Sequence, residues 1–352
     1  MGYQEAMDAL QLKMPGRIPR TEYSASGHWE LIRAVTGHPV SQESSWREKS
    51  AAAAAFEKAW DFGFTWNIST YHEIFGDTYT KMGHAVYAAG GTDFNMEISC
   101  PFSDEEQVYQ LDLFELYGVL NQQTQKKVYE ENYRQLCAGH PDQVNMTGIY
   151  VTMISGMLEI LGWDLFLTAL GADYDRFCSF TDRYADWILQ YFQALAASDV
   201  PVVMIHDDIV WTSGAFARRD WYLHHVFANY EKLFEPLHKA GKIILYTSDG
   251  NYNEFIDDIA ACGINGFVME PCTDMAYIAK HYGKTHAFVG NADCRILTYG
   301  TKEEIRREVE RCVTIGKECP GFFMAVGNHI PANVPVENAL YYNQVFESLR
   351  ER

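Results

Sequence analysis

Residues 242–250, KIILYTSDG, decide how the chain is read. An apolar run ends abruptly in small polar residues and a carboxylate, the outline of a buried strand running out into a site. Three other runs end the same way: VVMIHDD at 202–208, GFVMEP at 266–271 and FFMAVGNH at 322–329. Short, near-continuous apolar runs are what parallel strands covered on both faces show. The four polar ends read as the rim of one pocket.

Outward from these strands the pattern is regular. Strands are expected at 201–207, 242–248, 265–270, 285–290 and 321–327. Helices are expected after them at 218–240, 252–262, 274–282, 302–317 and 335–350. Gly241, Gly263 and Gly283 fall just past helices, where a left-handed cap is expected. The first half supplies about three more strands, at 17–24, 64–70 and 148–155, with helices at 28–35, 44–62, 124–138, 156–170 and 172–197. Ser103 followed by acidic residues marks another helix start. Residues 1–16 form an N-terminal helical extension, and 71–102, with its Gly90-Gly91 turn, reads as a β-hairpin or loop insertion at the mouth. Eight strands alternating with helices imply an α/β chain folded as one (β/α)8 TIM-type barrel over 1–352. A doubly wound open sheet is the runner-up, although no GxGxxG turn follows a strand.

Composition excludes several classes. The chain has 352 residues, enough for a sizeable core at 47% hydrophobic. A net charge of −19 argues against nucleic-acid binding, which needs a basic face. The eight cysteines form no CxxC pair and no disulfide framework, so reduced thiols in a cytoplasmic protein are expected. The N-terminal stretch lacks the basic and apolar regions of a signal peptide, and no apolar run of about 18–20 residues is expected to cross a membrane.

In a barrel the site lies at the C-terminal strand ends. His206-Asp207-Asp208 places a histidine beside paired carboxylates, and two close carboxylates raise one pKa into the range of a general acid. The bland reading caps a turn with one aspartate and pairs the other with a cation. Asp249-Gly250 is either a turn or a site, and Cys272 either a small buried hydrophobe or a ligand. Asp207, Asp208 and His329 are the candidate catalytic residues. Asp249, Glu270 and Cys272 are the candidate metal set. Glu22, His28, Trp66, His206, Trp211, Tyr246, Ser248, Asn291 and Asn328 are expected to bind substrate, with Asn67, His72 and His84 near the mouth.

The order HDDIVWTSGAF (206–216), NYEKLFEPLHKAGK (229–242), LYTSDGN (245–251), VGNADCRILTYGTKEEIRREV (289–309) and VGNHIPANVPVEN (326–338) resembles the uroporphyrinogen decarboxylase superfamily over about 148–350. The resemblance implies a TIM-type barrel and one of two chemistries. One is a cofactor-free decarboxylase, whose C-terminal histidine matches His329. Its arginine-rich segment is missing from RTEYSASGHWE, leaving Arg17, Arg20 and Arg295 to take carboxylates. The other is methyl transfer involving a corrinoid protein, usually with zinc. There the implied His-x-Cys falls on Thr247 and Asp249 and the final Cys on Asn328, so any zinc would occupy an altered site. The expected function is methyl transfer from a small methoxy or methylamino compound to a corrinoid carried on a partner protein. The alternatives are decarboxylation of uroporphyrinogen or a smaller acid, and a non-catalytic ligand-binding barrel. A homodimer is the expected assembly.

Overall fold

The computed structural model describes residues 2–25, 27–81, 86–88, 91–93 and 98–352, with backbone alone at 86–88 and 91–93. Among the described residues ten strands are formed in chain order. They are β1 (Phe64–Thr65), β2 (Val86–Ala88), β3 (Gly91–Asp93), β4 (Val144–Asn145), β5 (Thr147–Ile149), β6 (Val202–His206), β7 (Ile243–Ser248), β8 (Gly266–Met269), β9 (Ala287–Val289) and β10 (Phe322–Phe323). A six-stranded parallel sheet runs β10-β9-β8-β7-β6-β5, and β1 pairs β4 in a second parallel ladder. Single parallel bridges join Arg20 to both Phe62 and Met324, and Thr70 to Ile149. The antiparallel pair β2–β3 lies inside the expected insertion, while Gly90 and His84 fall outside the described residues.

Two-residue alternation divides the strands into two faces. Val202 and Met204 of β6, Leu245 of β7, Val268 of β8, Ala287 and Val289 of β9 and Phe323 of β10 share one buried cluster with Phe64, Val144 and Met146. The intervening Val203, Ile205, Ile244, Tyr246, Phe267, Met269, Phe288 and Phe322 belong to a larger cluster shared with the helices. The first set is the inner row, the second the helix-facing row. The helix Gly2–Leu10 adds Ala6, Ala9 and Leu10 to the inner cluster, so the expected N-terminal extension is part of the core.

Several boundaries differ from the sequence reading. The strand expected at 148–155 is β5, which ends at Ile149, and a helix already begins at Ile154, so the expected range lies too late. Gly241 and Gly263 have φ of 69° and 86°, as left-handed caps do. Gly283 does not, with φ −60°. It is needed for space, since a Cβ there would lie 2.3 Å from the Ala279 carbonyl oxygen and 2.5 Å from Cys319 Sγ. Contrary to expectation, among the described residues one helix, Ile154–Ala172, is by length and composition alone long and apolar enough to cross a membrane. Gly162 breaks its helical geometry at φ 70°, ψ 165°, and most of it is buried against the rest of the protein.

Candidate functional site

At the C-terminal ends of β6, β7 and β8 lies a cavity of about 100 Å³, lined by Tyr23, Tyr150, His206, Thr247, Ser248, Asp249, Val268, Met269, Gly327, Asn328 and His329. The inner row delivers the side chains that matter. His206 follows Val202 and Met204, and Thr247 and Asp249 follow Leu245 in the same phase. His206 is paired in register with Thr247.

The His206 ring stacks on Tyr150 at 3.9 Å between centroids, and its Nε2 lies 3.4 Å from Asp208 Oδ1. Burial holds its pKa below the usual imidazole range, against the opposing pull of Asp249 and Asp207. Asp208 Oδ1 also accepts the Asp249 amide at 2.8 Å. Asp249 is open to the cavity yet deep among protein atoms. Loss of bulk solvation, then the charges of Asp208 and Glu270, push its carboxyl up to about 8, with His206 and Asn328 pulling the other way. Glu270 accepts from the Gly250 amide and from Asn328 Nδ2, both at 2.8 Å. Opposite these groups, His329 meets the edge of Tyr23 at 4.9 Å, and burial lowers its pKa to about 4. Tyr23 packs on Trp66 at 4.9 Å, and the phenols of Tyr23 and Tyr150 are pushed up by burial and by Asp249 and Asp208. Tyr23 and Trp66 also line a neighbouring cavity of about 190 Å³.

Of the expected residues, the structure thus brings His206, Asp208, Ser248, Asp249, Glu270, Asn328 and His329 together, with Trp66 beside them. Others lie elsewhere. Asp207 is in the helix-facing phase and fully buried. Its carboxylate accepts from Ile154 N at 3.1 Å, Ser155 N at 2.6 Å and the Tyr230 hydroxyl. Met153, at the N-cap of the helix Ile154–Ala172, has no capping side chain, so Asp207 caps that helix from another strand. Tyr246 is fully buried in the same layer, its hydroxyl 3.4 Å from that of Tyr230. Glu22 pairs with Arg20 at 2.6 Å and accepts from Val326 N and Tyr342 Oη, all buried. His28 caps the helix Trp29–Thr36: Nδ1 accepts from Leu31 N, leaving Nε2–H for the Val334 carbonyl at 2.6 Å. Asn291 holds the backbone carbonyls of Glu270 and Thr273 and accepts from Arg311. Trp211 is 44% exposed and packs on Trp163 and Phe216. Asn67 bonds Asn132, and His72 stacks on Tyr79.

Among the described residues, the expected set of Asp249, Glu270 and Cys272 is not the group whose ligand atoms converge most closely. Cys272 Sγ is 4.0 Å from Glu270 Oε2, and burial followed by the Glu270 charge raises its thiol to about 11. Instead, ligand atoms of His206, Asp208 and Asp249 all lie within 4.8 Å of one another. Tyr23 and Tyr150 are absent from the sequence reading. Their signal was phase: Tyr150 follows Val144 and Met146 in steps of two, and Tyr23 packs against the same inner cluster.

Parallel strands ending in a polar cavity define an α/β protein with its candidate site at the carboxyl ends of the sheet. The chain belongs to the uroporphyrinogen decarboxylase family: the family model described as Uroporphyrinogen decarboxylase (URO-D) matches residues 88–348. The uroporphyrinogen decarboxylase of Aliivibrio salmonicida (strain LFI1238) is 29% identical over 165 residues, 45% of this chain and 44% of that one. That of Psychromonas ingrahamii is 27% identical over 163 residues, again 45% and 44%. The chain thus aligns with less than half the length of these relatives. A methyltransferase from Methanosarcina mazei superposes with a TM-score of 0.65 over 99% of this chain and 98% of its own, at 16% identity, a likeness of fold.

Proposed function

We propose that this chain is an enzyme that moves a methyl group from a small, uncharged methoxy or methylamino compound to cob(I)alamin held by a separate corrinoid protein. The carrying observation is the cavity itself: about 100 Å³, walled by Tyr23 and Tyr150, with no Lys or Arg among its lining residues. Pockets for larger ligands run to about 300–1,000 Å³. Among the described residues, the arginines expected to meet the carboxylates of a porphyrinogen are committed to other partners. Arg20 is buried against Glu22, Arg17 pairs with Glu5 and Asp61, and Arg295 chelates Asp293. These placements favour methyl transfer over decarboxylation of a polycarboxylate.

The reading includes a closed (β/α)8 barrel, supported by the isolated bridges of Arg20 to Phe62 and Met324, which lie next to β1 and β10. In the reaction the methyl–oxygen bond breaks, a cobalt–carbon bond forms, and the freed electron pair stays on oxygen. One proton is taken up, so the products are the alcohol and methylcob(III)alamin. That oxygen needs positive charge in the transition state, from a proton or a hard Lewis acid. In this reading the cluster of His206, Asp208 and Asp249 would hold either. A thiolate zinc site does not fit, because the positions that would carry it are Thr247, Asp249 and Asn328.

The test supplies cob(I)alamin on a carrier protein with methoxyacetamide or methylacetamide and follows methylcobalamin formation. Methyl transfer should fall about 100-fold or more in Asp249→Asn. Turnover of uroporphyrinogen without corrinoid, or no methylcobalamin from any such donor, would overturn the reading.

A further inference from the structure

We propose that His206, Asp208 and Asp249 bind one divalent cation of hard or borderline character, with Thr247 Oγ1 as a further oxygen donor. Two strands fix the donors. His206 ends β6, Asp208 follows it by two residues, and Asp249 follows the end of β7. The pairing of His206 with Thr247 and the bond from Asp249 N to Asp208 Oδ1 at 2.8 Å lock the strand ends together. The tyrosine stack on His206 fixes the ring plane.

Two observations besides the acidic cluster point to a ligand. Thr247 is 3% exposed, lies in the inner row between Leu245 and Asp249, lines the cavity, and its hydroxyl has no hydrogen-bond partner. His206 is also 3% exposed, and its Nδ1 has none. Buried polar atoms are ordinarily satisfied, so two orphans at one cavity mark where something polar sits. Asp249 lines the cavity with no Lys or Arg among the other lining residues, Asp208 stands against His206 and the Asp249 amide, and a divalent ion would neutralise both aspartates at once.

Size and chemistry select the ion. Ligands at about 2.0–2.2 Å from a metal lie about 3–4 Å from one another, so contraction from the observed separation takes small side-chain movements. One imidazole with carboxylate and hydroxyl oxygens suits Zn²⁺, Co²⁺ or Mn²⁺ and disfavours soft ions. Cys272 is outside the set. This site rests on the chain's own geometry and not on the methyl-transfer reading. An ion here would be one way to place positive charge beside the donor oxygen.

The experiment is calorimetric titration of the full chain, purified without a tag and freed of metal by chelator, with ZnCl₂, CoCl₂ and MnCl₂. One equivalent per chain is expected. His206→Ala and Asp249→Asn should each weaken binding about tenfold or more, and Cys272→Ser should leave it unchanged. The Co²⁺ form should lack thiolate charge-transfer absorption. Thermal melts identify variants that fail to fold, and the near-isosteric Asp249→Asn decides if His206→Ala does. Substoichiometric binding of all three ions, unchanged affinity in folded Asp249→Asn, or dependence on Cys272 would each overturn the site. A stoichiometric ion in a protein that transfers no methyl group would overturn the functional reading alone.

Discussion

Asp207 and Asp208 are neighbours with opposite fates, and the difference is one step of strand phase. Asp208 turns toward His206 and the Asp249 amide; Asp207 turns toward the helices and caps one of them. The motif HDD was visible in the sequence, as was the convergence of His206, Asp249, Asn328 and His329. Which aspartate faces the site is also legible, because Val202 and Met204 fix the inner phase and His206 and Asp208 continue it in steps of two. Glu22 and His28 could not be sorted that way. Their partners, Arg20, Tyr342 and Val334, are set by tertiary packing. His329 carries a prediction at this scale. Its folded pKa of about 4 is below the usual 6.5, so the native state resists protonation. As pH falls from about 6.5 toward 4, the unfolded chain gains this proton first and stability is lost. Urea midpoints at pH 7 and pH 5 should therefore fall further apart in the wild-type protein than in His329→Gln. Equal differences would show that His329 is not held neutral by the fold.

At the scale of elements, the strongly apolar strands were well placed and the edges were not. β6, β7 and β8 match their sequence runs closely, since nothing but burial on both faces explains VVMI, IILY or GFVM. The strand around 148 was misplaced because its apolar run continues without a break into a buried helix, and periodicity does not separate the two. Gly148 is where the true strand shows its constraint. It pairs with Met204, and a Cβ would stand 1.8 Å from the Met204 carbonyl oxygen. Backbone cannot yield there without opening the β5–β6 ladder. Gly148→Ala should cost about 3 kcal/mol or more. Gly171, in the helix Ile154–Ala172, has nothing within 4 Å of an added Cβ. Gly171→Ala should be neutral or stabilise by up to about 1 kcal/mol. Chemical denaturation of the two variants side by side checks both, and comparable stability would mean that β5 and β6 are not paired as described.

Across the whole molecule, residues 23 to 329 reach one cavity because parallel strands all deliver their C-terminal ends to the same side. That convergence followed from the repeated strand–helix pattern alone. The cavity's size and charge did not, because they depend on which arginines are committed elsewhere: Arg17, Arg20 and Arg295 all are. The consequence is selectivity against anions. Asp208, Asp249 and Glu270 stand together at one side of the cavity, in a chain of net charge −19. At an effective dielectric of about 20, one ionised carboxylate about 8 Å from a ligand carboxylate opposes it by about 2 kcal/mol. Tenfold in affinity is about 1.4 kcal/mol, so even one such charge, partly screened, separates an acid from its amide by about that factor. Methoxyacetate and methoxyacetamide differ in little but charge. On metal-free protein at pH 8, the amide should bind at least about tenfold more tightly by calorimetry, and the gap should narrow as salt is raised. Equal affinities, or tighter binding of the acid, would mean that a cation reaches the cavity and that the case for an uncharged donor fails.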